Sequence, residues 1–213
     1  MCQLRANRYT CSLYALAMLL LALVSFGGLS EHLLEGDDFE YLSDAASARK
    51  DPAQFFSPDK QLPGRPVVEL VFFIAFSLWG DEPAAYHLLV VGLHLVASLL
   101  LAYSFQQLGA NLELSLLGGL LFLVHVAHFR AIQWISCLAY PLALIFGLAT
   151  LICFLRYLES GRMRWMVWSV LTLAPAILAH ASAVSVPLFC IYLSRRNGKT
   201  GWQYPDDTLR QYL

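Results

Sequence analysis

Residues 66–79 read PVVELVFFIAFSLW, and whether they cross a bilayer decides the architecture around them. The run has only 14 residues, short of the roughly 20 that a membrane-crossing helix needs. It opens on Pro66, whose fixed φ and missing N–H suit a first helical position. Positive charge supplies a second argument, because cytoplasmic connections collect Lys and Arg. Arg5 and Arg8 precede the first apolar run, which sets the N-terminus inside and loop 31–65 outside. If 66–79 spans, the connection carrying Arg156, Arg162 and Arg164 falls outside, against the rule. If it does not, that connection and a tail with Arg195, Arg196 and Lys199 fall inside together. The stretch therefore reads as a helix lying in, or dipping into, the outer interface.

The remaining apolar runs are 10–30, 84–107, 112–127, 138–157, 165–179 and 182–194. They predict an all-α, polytopic membrane helical bundle of six transmembrane helices plus the interfacial helix in the first outer loop. Residues 1–194 form one transmembrane module, with outer loop 31–65 and interfacial helix 66–79, and 195–213 form a cytoplasmic tail. A single tilted helix over 165–193 is the alternative for the last two runs, and it would put the tail outside. Composition points the same way. Of 213 residues, 58% are hydrophobic and 14% charged, against about 25% charge in soluble domains. Mean hydropathy is +0.58. The balance of 14 basic and 15 acidic residues, with no basic stripe, argues against a nucleic-acid partner. The first run follows Arg5 and Arg8 as a signal peptide would, but no A-x-A-like site follows it, so it reads as an uncleaved span. The five cysteines show no CxxC spacing and suggest neither a disulfide framework nor a metal site.

With six spans, the unusual polar residues collect on the outer side. Asp37-Asp38 follows Gly36 at a span exit. Adjacent carboxylates can share a cation, or one can act as a general base whose pKa its neighbour raises. The plain alternative is a hydrated acidic loop. Arg65 can clamp a phosphate with its planar guanidinium, or anchor the next helix to lipid headgroups. His125 and His128 are three apart and share a face if helical. A metal needs more ligands than two histidines, and with no carboxylate nearby, polar capping of a helix end is the favoured reading. Arg130, Gln133 and Trp134 belong to the same turn, and His180 to the turn before the last span. His94 lies deep in its run, where a hydrogen-bonded packing role fits.

Taken in order, the stretches GDDFEYL, GRPVVELVFFIAFSLWG, YHLLVVGLHLVASLLLAY, LGGLLFLVHVAHFRAIQWIS and LAPAILAHASAVSVPLFCIYL resemble the N-terminal half of GT-C glycosyltransferases. The closest likeness is to the protein O-mannosyltransferase-like branch, over roughly residues 10–194. The resemblance implies a multi-pass enzyme of a bacterial inner membrane or an ER-type membrane. Such an enzyme moves a sugar from a polyprenyl- or dolichyl-phosphate donor to an acceptor on the extracytoplasmic side. It assigns Asp37 and Asp38 as the catalytic pair, or as ligands if a divalent metal serves as cofactor. Arg65, with His128, Arg130 and His180, would hold the donor phosphate; His125, Gln133, Trp134 and Tyr140 would line the substrate cavity. The chain departs from the family where relatives commonly place an Arg and an acidic residue after the Trp, here Leu138 and Tyr140. It departs again where they often carry Lys-Glu, here His180-Ala181. Those departures and the length leave two readings open. One is an enzyme completed by a protein supplying the C-terminal half; the other is a non-catalytic relative that binds a lipid-linked sugar or scaffolds a partner.

Overall fold

Prolines, asparagine and glycines set the helix ends. Pro66 and Pro83 start α3 (Pro66–Trp79) and α4 (Pro83–Gln107), where a missing N–H costs nothing. The Asn111 side chain accepts the Leu114 N–H at 2.8 Å and caps α5 (Leu112–Val124). Gly161, in the left-handed region at φ +65°, stops α7 (Ala139–Ser160). The computed structural model describes residues 8–57 and 64–200, so Arg5 and the end of the tail, 201–213, lie outside the described residues. The other helices are α1 (Arg8–Phe26), α2 (Asp37–Lys50), α6 (Phe129–Gln133), α8 (Met163–Ala179) and α9 (Ser185–Thr200). Short 3-10 turns occupy Gly27–Glu31, Pro52–Phe56, Val126–His128, Ile135–Leu138 and Ala181–Val184. The described residues contain no strand.

Three segments are long and apolar enough to cross a bilayer: Ser12–Leu29, Pro83–Gln107 and Ile135–Ser160. A fourth arises if Leu112–Val124 and Val126–Gln133, bent by 44° at one residue, count as one span. Three shorter apolar helices cover Pro66–Trp79, Met163–Ala179 and Ala181–Arg195. Leu16, Leu20 and Leu23 of α1, Leu117 and Leu121 of α5, and Val170 and Leu171 of α8 all face outward. That much outward apolar surface suits hydrocarbon and not water. The chain is a membrane protein. Residues 165–193 do not form one helix. The break falls at His180, between the two runs read from the sequence, where the backbone is extended (φ −158°, ψ 133°); α8 absorbs Pro175 internally.

α4 is the axis of the bundle, with α1, α5 and α7 packed on it. Two neighbours of α5 approach it unusually closely at Gly119. A Cβ built there would sit 2.7 Å from the Tyr14 hydroxyl, 2.8 Å from Ala102 Cβ and 3.0 Å from the Ser98 carbonyl oxygen. The Tyr14 hydroxyl also donates to the Leu116 carbonyl at 2.9 Å. Lipid offers helices no hydrophobic drive to associate, so small residues that permit close approach carry the packing. Gly119→Ala is therefore expected to lose about 1–3 kcal/mol through overpacking, read as a lower unfolding midpoint in detergent; an unchanged midpoint would contradict the close seam. Between α7 and α8 the glue is polar: Ser169 Oγ donates to the Thr150 carbonyl at 3.1 Å, and Thr150 and Thr172 share a hydroxyl contact at 3.0 Å.

α3 has the bounds of the apolar run 66–79, opening on Pro66. Its Val68, Phe72 and Ala75 are buried while Leu70, Ile74 and Leu78 are exposed. Phe72 stacks on Tyr41 of α2 (centroids 4.6 Å, planes 7° apart) and on Tyr86 of α4 (5.9 Å). This aromatic column ties the α1–α3 connection to the bundle.

Candidate active site at one end of the bundle

After the turn Gly27–Glu31 the chain runs extended to Gly36, which reverses it at φ +53° so that α2 starts at Asp37. The first turn of α2 holds Asp37, Asp38 and Glu40, where the helix dipole favours negative charge. Successive residues on a helix point about 100° apart, so the two aspartates have different fates. Asp38 is buried (1% exposed). Its Oδ1 accepts the Ser136 N–H and the Ser136 hydroxyl, both at 2.7 Å, and its Oδ2 accepts the Glu35 N–H at 3.1 Å. Asp37 is exposed.

The same seam is closed by other contacts. Trp134 Nε1 donates to the Glu35 carbonyl at 3.2 Å, and Gln133 Nε2 meets His32 Nδ1 at 3.4 Å. A Cβ on Gly36 would lie 3.3 Å from the Trp134 ring. Residues 32–38 are thus seated on 133–136. Gly36→Ala is expected to lose about 1–2 kcal/mol from the left-handed backbone alone, and to lift Asp37 from its place. A thermal unfolding scan checks the first effect.

Arg65 precedes α3; its N–H donates to Glu69 Oε1 at 3.3 Å, and its guanidinium acts on the Tyr41 hydroxyl electrostatically. Burial pushes the Tyr41 hydroxyl pKa above its usual value, and Arg65 pulls against that. Tyr41 lies one helical turn after Asp37 and within its electrostatic reach. Arg65 also reaches His180: burial is the main cause of that imidazole's lowered pKa, and the guanidinium adds to it. His180 packs against Tyr140, ring centroids 4.6 Å apart. Cys137 sits within reach of Asp38, Arg65, Asp37 and Arg130 together. The predicted residues Asp37, Asp38, Arg65, Arg130, Gln133, Trp134, Tyr140 and His180 therefore occupy one region.

His125 and His128 lie at the bend after α5. The bend after Val124 frees carbonyls that the helix no longer satisfies. His128 Nδ1 contacts the Phe122 carbonyl at 2.9 Å, and His94 Nε2 the Leu123 carbonyl at 3.1 Å. A carbonyl only accepts, so both rings donate, which assigns their tautomers. His125 Nδ1 accepts the Ala127 N–H at 3.2 Å. These histidines cap the bend, as the absence of a nearby carboxylate suggested. Among the described residues no group of three or more His, Cys, Asp or Glu could hold a metal. Asp38 Oδ1 takes two donors from Ser136 and Oδ2 one from Glu35, which leaves Asp37 as the freer carboxylate of the pair.

Sequence reasoning missed Tyr41, Ser136 and Cys137. Tyr41 carried a signal, its i, i+4 spacing from Asp37; Ser136, 98 positions from Asp38, carried none. Compared with family profiles, curated proteins and solved structures, the chain matches none of them.

Proposed function

We propose that the chain is a membrane glycosyltransferase that transfers a sugar from a polyprenyl- or dolichyl-phosphate donor to an acceptor hydroxyl, with inversion. The observation that carries this reading is the division of labour at one end of the bundle. Asp37 is an exposed carboxylate at the start of α2, and Tyr41, one turn on, lies within electrostatic reach of both Asp37 and the Arg65 guanidinium.

In this reading Asp37 takes the proton of the acceptor hydroxyl as its oxygen attacks the anomeric carbon. The bond from that carbon to the phosphate oxygen breaks, and the charge growing on the departing lipid phosphate is met by Arg65. Arg130 and His180 stand as further donors, and His180 is flanked by Tyr140. Asp38 positions the loop and takes no proton. No step runs through a metal. The site faces the extracytoplasmic side of a six-span bundle with its N-terminus inside. α3 lies in the outer interface, a placement supported by its 14 residues and by apolar side chains on its outward face.

A second reading, a non-catalytic relative that holds a lipid-linked sugar, draws on the presence of one free carboxylate in the Asp37-Asp38 pair instead of two. One assay separates them: transfer of labelled hexose from a polyprenyl-phosphate donor by the purified chain and by Asp37→Asn. Equal transfer by both sinks the assignment of Asp37.

A further inference from the structure

At the far end of α7, where a spanning helix meets the turn into α8, three arginines gather. Arg156 donates from Nη2 to the Tyr103 hydroxyl at 2.6 Å, and its guanidinium lies 4.9 Å from the centroid of the Trp165 ring. Arg164 lies over the same indole at 5.3 Å. Arg162, exposed, precedes α8 and caps it with no side-chain bond. Among the described residues no carboxylate pairs with any of the three, and the nearest acid in sequence, Glu159, is exposed. The first turn of α8 contains no acidic residue either. A tryptophan with two guanidiniums over its ring at a span end belongs at the depth of lipid headgroups.

We propose that this turn binds the headgroup of an anionic phospholipid of the surrounding bilayer. Arg162 and Arg164 meet the phosphate, and Arg156 forms the floor, held by Tyr103 and Trp165. The occupant follows from position and charge. The site adjoins a segment, Ile135–Ser160, long and apolar enough to span, so lipid is the molecule present there, and uncompensated positive charge selects the anionic kind. This inference does not depend on the proposed enzymatic activity, and its test reads binding alone.

Detergent-purified full chain is incubated with equal amounts of dioleoyl phosphatidylglycerol and dioleoyl phosphatidylcholine, and retained lipid is counted by native mass spectrometry. Phosphatidylglycerol is expected to dominate. Each arginine near an anionic headgroup is worth roughly fivefold, so Arg162→Gln/Arg164→Gln should bring the preference close to unity. Both side chains are exposed, and an unchanged helical circular dichroism spectrum verifies the fold. Arg49→Gln/Lys50→Gln on α2 removes the same charge elsewhere and should leave the preference intact. Equal retention of the two lipids overturns the site. So does a preference that survives the arginine substitutions, one that falls equally in the α2 control, or one that excess inorganic phosphate abolishes, which would make the ligand a free anion.

Discussion

Asp38→Ala is expected to destabilise the folded chain by about 3–5 kcal/mol, the largest loss of any single polar substitution considered. The substitution strands three donors at once: the Ser136 N–H, the Ser136 hydroxyl and the Glu35 N–H. Each buried donor left without an acceptor costs about 1–3 kcal/mol, the upper part applying where the acceptor was charged. Asp38→Asn should fall between the two, because its carbonyl still accepts from Ser136 while its amide faces the Glu35 N–H, donor against donor. Denaturant unfolding in detergent measures all three proteins. A loss for the alanine variant below about 0.5 kcal/mol, the scatter of ordinary surface changes, would show that the clamp does not hold the loop.

Asp37→Asn is expected to do the reverse. Its side chain is exposed and no hydrogen bond fixes it in the way Asp38 is fixed, so the unfolding midpoint should stay within surface scatter, about 0.5 kcal/mol. Transfer from the lipid-phosphate sugar should drop by about 10²–10⁴-fold, the usual contribution of a positioned general base. The two adjacent carboxylates thus give opposite signatures, one in stability and one in turnover. A variant that lost stability and turnover together at Asp37 would return it to a structural role. Undiminished turnover with intact stability would remove it from the chemistry.

Which aspartate does which was not legible in the sequence. The dipeptide announces itself as acidic at a helix start, but the choice depends on the rotation of α2 and on Ser136, which sits far along the chain. The bounds of α3 were legible, because Pro66 begins it and Gly80, with positive φ, ends it. The bend after α5 was half legible: two histidines three apart marked a helix end, while the carbonyls they satisfy, at Phe122 and Leu123, show only in three dimensions. The break within 165–193 was legible: the apolar runs 165–179 and 182–194 leave the turn at His180, where the structure has it. There the His180 Nδ1 accepts the Ser182 N–H at 3.2 Å and so starts the next turn as a cap would, while Pro175 stays inside α8. The gathering of Arg65, His180 and Tyr140 followed from the order of the spans, since alternate connections return to the same end of a bundle.

The seam at Gly119 bears on how α5 is held in the membrane. α5 has 13 residues, about 20 Å of helix at 1.5 Å per residue, against a hydrocarbon core of about 30 Å. Alone it would be a poor anchor. Its neighbours Tyr14, Ser98 and Ala102 belong to α1 and α4, both made before it. Close packing on α1 and α4 thus offsets the short apolar length of α5.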